Sequence, residues 1–148
     1  MPTRNVITRV NDIMSSAPKS VYTSTTIARL LELFDRHDFN AFPVTDAANE
    51  LVGIVTKVDL LRVLRPPHEG DVGEGTRMSE MSVREIMRAD VVSVDAEAPI
   101  EVAADAMVET GLRSIPVVLD RGGRPELVGM VSRGDVIRGF RFAMHDDK

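Results

Sequence analysis

The sequence predicts an α+β (α/β) fold in which one β-α-β-β-α unit occurs twice. Three observations carry this expectation. The 148-residue chain lies on itself at an offset of 73 residues and, further along, of 76. Each copy holds an amphipathic helical run followed by two short apolar runs. The three extra residues of the second copy fall among turn formers, Asp46-Ala47-Ala48-Asn49 against Asp120-Arg121-Gly122-Gly123-Arg124. A duplicated fold tolerates an insertion there, because a turn carries little of the core.

At the first offset Val10-Asn11-Asp12-Ile13-Met14 falls on Val83-Arg84-Glu85-Ile86-Met87, and Pro43-Val44 on Pro116-Val117. At the second, Leu51-Val52-Gly53-Ile54-Val55-Thr56 falls on Leu127-Val128-Gly129-Met130-Val131-Ser132, with Asp59 on Asp135 and Arg62 on Arg138. Copy one begins with an extended piece, Ser20 to Tyr22. A helix follows in TTIARLLELFDRHD, with Ile27, Leu30, Leu31 and Phe34 on one face. AFPVTD and ELVGIVT then form a hairpin, and a second helix runs from about Lys57 to Leu64. Copy two repeats the order: Val91 to Val94 extended, then a helix in APIEVAADAMVETG. Pro99 suits its first turn and Gly111 the left-handed residue after its last. SIPVVLD and ELVGMVS pair, and a helix from about Arg133 to Phe140 closes the copy. One small sheet of this kind leaves an apolar face bare. Two copies packed about a pseudo-two-fold axis cover both faces. The expected divisions are repeat one at 6–64, a Pro- and Gly-rich linker at 65–80, repeat two at 81–140 and a tail at 141–148. In the tail Phe140 and Phe142 are expected to pack on the core or on a second subunit.

Composition narrows the function classes. A charged fraction of 28% and a net charge of −5 show no basic surplus for a duplex nucleic-acid binder. Aromatics at 4% leave few stacking platforms for bases. No run approaches the roughly 18 apolar residues of a membrane span. Zero cysteines exclude disulfides, thiolate metal sites and cysteine nucleophiles and fit a cytoplasmic location. His37, His68 and His145 lie far apart, so no metal site is expected. No Ser-His-Asp grouping, P-loop or dinucleotide fingerprint points to an enzyme.

Gly53-x-x-Thr56-x-x-Asp59 and Gly129-x-x-Ser132-x-x-Asp135 sit where a strand enters a helix. Thr or Ser followed three residues later by an acid matches a capping box. The acid also lies well in the positive end of the helix dipole. A ligand-binding role for the same residues stays open beside that one.

Val-x-x-Ile-Met at each start, hydrophobic-Pro-Val in each middle strand and Leu-Val-Gly-x-Val-[Thr/Ser]-x-x-Asp recur in order over about residues 6 to 140. In these motifs the chain resembles a tandem pair of cystathionine-β-synthase (CBS) domains, a Bateman module standing alone. The resemblance implies a regulatory module, not an enzyme and without a catalytic cofactor. Its ligand would be an adenosyl compound (AMP, ADP, ATP, S-adenosylmethionine or NAD) held in clefts between the copies, with occupancy relayed to an unknown effector protein. It also implies a homodimer.

Asp59 and Asp135 would accept from the ribose hydroxyls, a charge-assisted arrangement that excludes non-nucleosides. Thr56 and Ser132 would face the ribose or phosphate beside free helix amides. Lys57, Arg113 and Arg133 are the phosphate candidates. Arg113 and Arg133 favour the second copy for a phosphorylated ligand, since guanidinium groups fork onto phosphate. The adenine pocket would draw on Ile13, Val21, Phe42 and Pro43 and on Ile86, Val94, Ile115 and Pro116. The rival reading is a ligand-free structural adaptor that uses the fold for dimerisation or docking.

Overall fold

A computed structural model describes residues 8–65 and 80–145. The linker residues 66–79, His68 among them, residues 6 and 7 of the expected first repeat, and the last three residues lie outside the described residues. In chain order the elements are α1 (Val10–Ile13), β1 (Ser15–Ser16), β2 (Val21–Tyr22), α2 (Ile27–Arg36), β3 (Ala41–Thr45), β4 (Leu51–Thr56) and α3 (Lys57–Leu64). There follow α4 (Val83–Ile86), β5 (Val94–Asp95), α5 (Ile100–Thr110), β6 (Ser114–Arg121), β7 (Arg124–Ser132) and α6 (Arg133–His145). Both expected β-α-β-β-α stretches are present. The Val-x-x-Ile-Met segments, to which the sequence assigns no element, form α1 and α4.

The chain forms two compact units that do not follow the two repeats. One comprises the described residues of Lys19–Val91, the other residues 8–18 together with 92–145. Each repeat thus begins with a short helix that packs in the unit of the other repeat. Matching hydrogen bonds hold both. Val10 N donates to Ala98 O and Asn11 N to Ala96 O, each at 2.9 Å. Val83 N donates to Thr25 O at 2.8 Å and Arg84 N to Thr23 O at 3.0 Å. The offset of 73 converts one pair of acceptors into the other. Val10 and Val83 are both fully buried, so each unit takes part of its core from the opposite end of the chain.

In the first unit β2-β3-β4 form a three-stranded sheet, parallel at β2-β3 and antiparallel at β3-β4. Ile27, Leu30 and Phe34 of α2 lie against Phe42, Val44 and Val55 in its core. The second unit has four strands, β1-β7-β6-β5, because β1 adds to the edge of β7. The matching contact in the first unit is the single bridge between Ile54 and Arg88. Both hairpins carry the same bulge, after Val44 and after Val117. The turns are as unlike as the insertion implies. Asp46 Oδ1 accepts from Ala48 N and Glu50 N with Asn49 at φ +63°, whereas the longer hairpin turns on Gly122 and Gly123.

Two expectations change at the C-terminus. The helix expected to end at Phe140 continues to His145, so most of the expected tail is helical. Gly139 does not stop it, because the glycine is a packing position: a Cβ there would lie 3.0 Å from Ile13 Cγ2 and 3.3 Å from Ile100 Cδ1. Phe142 does not pack back on its own unit and is 66% exposed. Pro99 stands one place before the helix it was expected to begin, as its N-cap residue, while Gly111 takes the left-handed φ of +74°.

The glycine of Leu-Val-Gly is explained by the exchanged segments. A Cβ on Gly53 would lie 2.7 Å from Met87 Sδ and 3.0 Å from Arg88 O. On Gly129 it would lie 2.5 Å from Met14 Sδ and 2.8 Å from Ser15 O. A thioether can swing aside, but a strand-paired carbonyl cannot move cheaply. Gly129→Ala is therefore expected to destabilise its unit by about 1–3 kcal/mol, and Gly53→Ala by less. Urea denaturation of both variants checks the order, and a neutral Gly129→Ala would show that the crossing is slack.

Candidate functional site

Each unit has a corner where the last strand turns into a helix. At the β4–α3 corner Thr56 Oγ1 accepts from Asp59 N at 3.1 Å, while the Thr56 amide and hydroxyl both donate to Asp59 Oδ2 at 2.9 Å. Asp59 Oδ1 accepts from Arg88 Nε at 3.2 Å, and Arg62 Nη1 lies 3.8 Å away. At the β7–α6 corner Ser132 N donates to Asp135 Oδ2 at 2.8 Å and Asp135 N to Ser132 Oγ at 3.1 Å. Arg138 Nη2 donates to Asp135 Oδ1 at 2.5 Å. Both corners are complete capping boxes. One oxygen of each acid serves the cap and the other an arginine. The Asp59 side chain is 4% exposed and that of Asp135 13%, so the first acid is the more enclosed.

Beside each corner lies an open strand edge. β2 pairs only with Val44 and Thr45 of β3, and β5 only with Val117 and Val118 of β6. Among the described residues no strand covers that side of Ala41 or of Ser114, whereas the parallel registers set the carbonyls of Pro43 and Pro116 against β2 and β5. Ala41 pairs with Thr56 and Ser114 with Ser132. Free main-chain groups therefore start next to each corner, which suits the reading of a flat heterocycle's edge.

The other expected site residues are sorted by their surroundings. Val21, Phe42, Val94 and Ile115 belong to the hydrophobic cores, because the inward positions of a short sheet are needed to bury its helices. Phe42 lies 4.8 Å from the Phe34 ring. They line no open face, whereas Ile13 and Ile86 are half-buried and pack against the cores from outside. Pro43 and Pro116 are buried in mid-strand. Lys57 is half-buried at the first turn of α3, and its amide donates to Asn40 O at 3.0 Å. Arg113 is exposed on the loop before β6.

Arg133 requires a correction. Its Nε donates to Leu112 O at 3.1 Å and its Nη2 to Gly111 O at 2.6 Å. The guanidinium is spent on carbonyls at the C-terminal end of α5, where a cation is favoured by the helix dipole. It is not poised for a phosphate. The sequence reading also missed three arginines beside the acids. Arg62 and Arg138 had a signal, since each recurs three residues after its aspartate. Arg88 had none, because the chain brings it to Asp59 from 29 residues away.

The CBS domain family matches residues 10–66 and 83–141, each match opening on an exchanged helix. The chain belongs to the CBS domain family. Among solved CBS-pair structures, CBSX2 of Arabidopsis thaliana, crystallised in complex with AMP, superposes with a TM-score of 0.73 at 27% identity, over 92% of this chain and 98% of that one. The CBS domain pair of protein MJ0100, in complex with 5'-methylthioadenosine and S-adenosyl-L-methionine, gives a TM-score of 0.68 at 26% identity, over 93% and 99%. A CBS domain-containing protein of Dictyostelium discoideum is 30% identical over 86% of this chain and 88% of its own length. An L-aspartate semialdehyde sulfurtransferase of Methanocaldococcus jannaschii is 27% identical over 94% of this chain, which spans only 24% of that enzyme.

The caps of this CBS pair make a stability statement. Asp59→Ala is expected to cost about 1–2 kcal/mol and Asp135→Ala about 1 kcal/mol, in that order because Asp59 is the more enclosed. Urea melts check this: equal losses would overturn the order, and negligible losses would mean that the boxes contribute little.

Proposed function

We propose that this CBS pair is a regulatory module that binds an adenosyl ligand and relays its occupancy to an effector protein. One observation carries the proposal: twice, an enclosed carboxylate stands at a helix start next to an open strand edge, its outer oxygen held, among the described residues, by arginine side chains that solvent reaches. A ribose offers two neighbouring hydroxyls that donate to such a carboxylate, and the adenine edge matches free main-chain groups. The AMP, 5'-methylthioadenosine and S-adenosyl-L-methionine complexes of related CBS pairs support this ligand class. Signalling follows from differential affinity: the ligand shifts the chain toward the conformation it prefers, by no more than that preference.

The reading includes no catalytic role and no catalytic cofactor. The acids serve caps and ion pairs, and the likeness to the sulfurtransferase spans a quarter of that enzyme. We also propose a cytoplasmic homodimer. Its support is a groove of about 410 Å³ between α5 and α6, lined by Ala104, Met107, Val136 and Ile137, with Val108 at 84% and Ile137 at 67% exposed. Apolar surface of that kind is stabilised when a second copy covers it. No described helix is long and apolar enough to cross a membrane.

The ligand-free adaptor draws on the same corners, since each acid and hydroxyl already has a structural partner in its capping box. Thermal melting separates the two. A ligand at 100 times its Kd adds about 2.7 kcal/mol of stability, which raises Tm by several degrees in a chain of this size. Such a rise with AMP, 5'-methylthioadenosine or S-adenosylmethionine is expected. No shift with any of them at millimolar concentration would favour the adaptor. Sedimentation tests the assembly: Ile137→Asp is expected to convert a dimer to a monomer without lowering helix content, and an unchanged dimer would place the interface elsewhere.

A further inference from the structure

The two corners differ at one structurally matched position. The offset of 73 lays Ser15 on Arg88. Each follows the methionine that covers a glycine, and each turns its carbonyl onto that glycine. Each is paired with the strand that bears it, Ser15 with Met130 and Arg88 with Ile54. The side chains therefore leave matching backbone positions, and what they bring to the corner is unlike. Arg88 places a guanidinium 3.2 Å from Asp59 Oδ1. At the matching backbone position Ser15 carries only an uncharged hydroxymethyl group. The second arginine of each corner is common to both, since Arg62 and Arg138 occupy the same helical position.

We propose that Arg88 is a specificity-determining residue that makes the Asp59 corner selective for phosphate-bearing adenosyl ligands over uncharged ones. This rests on the adenosyl reading above. A ribose that takes Asp59 Oδ1 must displace Arg88. An uncharged nucleoside leaves the displaced guanidinium with water alone, so the lost ion pair counts against binding. A nucleotide brings its own anion, and Arg88 exchanges a carboxylate for a phosphate, which a guanidinium holds in a two-pronged contact. The side chain is 54% exposed, so it can swing from one anion to the other without disturbing the core. At the Asp135 corner no such exchange exists at the position of Ser15. Of the two cations expected to favour phosphate at the second copy, Arg133 is spent on Gly111 and Leu112 and Arg113 alone remains exposed.

The test is calorimetry with AMP and adenosine on the full chain. Asp135→Asn in the background silences the second corner. Arg88→Ser, which copies the residue of the other corner, is expected to lower AMP affinity about tenfold, roughly the worth of one charge-assisted hydrogen bond. Adenosine affinity should stay level or rise, because its competitor for Asp59 is gone. Arg88→Lys should keep part of the preference, and Ser15→Arg in an Asp59→Asn background should create one. Equal losses for AMP and adenosine in Arg88→Ser, or no change in their ratio, would overturn the role of Arg88 while leaving the adenosyl reading standing. If the unsubstituted chain binds neither compound this inference falls, and the adenosyl reading falls with it only if 5'-methylthioadenosine and S-adenosylmethionine fail to bind as well.

Discussion

The structure depends on a close crossing of backbones over two glycines. Met87 and Arg88 pass over Gly53, and Met14 and Ser15 pass over Gly129, at separations that leave no room for a Cβ. Methionine suits the crossing because its thioether is slender and adaptable. The backbone beside it gains strand pairing with β4 or β7. The crossing brings Val10 and Val83 into cores that would otherwise have a gap, and large-to-small gaps in a packed interior are costly. Each unit is completed by the start of the other repeat, so the two halves of the chain depend on one another for their cores.

The same crossing prepares the functional corners. It sets Arg88 beside Asp59, and it leaves Ile13 and Ile86 half-buried next to the sheets rather than within them. The capping box and the proposed ligand site are then one set of atoms seen in two roles. Oδ2 of each aspartate closes the helix start, which lowers the cost of keeping an enclosed carboxylate charged. Oδ1 faces arginines that solvent reaches. The division of labour within one carboxyl group joins a closed helix start to an acceptor that only mobile arginine side chains hold.

Much of the fold is legible in the sequence because the duplication shows each β-α-β-β-α stretch twice. Gly111 as a helix stop, the turn that absorbs the insertion and the strand-to-helix corners all follow from local chemistry. The boundary at Phe140 does not, because Gly139 serves packing against Ile13 and Ile100 and not chain termination. At the site, Thr56, Asp59, Ser132 and Asp135 are readable from their spacing. Arg133 is misread, since a basic residue beside a helix start gives no sign that it will bend back to the carbonyls at Gly111 and Leu112. Phe42 and Ile115 are misread for a related reason: an apolar residue next to a site motif looks the same whether it faces the site or the core.

The sequence by itself determined the repeat, the order of the β-α-β-β-α elements in each copy, the family and the two acidic corners, because all of these are written in motifs and spacings along the chain. Only the tertiary structure decided which copy's opening helix completes which unit. Thr23 and Thr25 present the same carbonyls as Ala96 and Ala98, so local hydrogen bonding cannot distinguish an exchanged start from one that stays at home. The choice is made by long-range packing. With it come the contact of Arg88 with Asp59 and the resulting difference between two corners that the repeat would make alike.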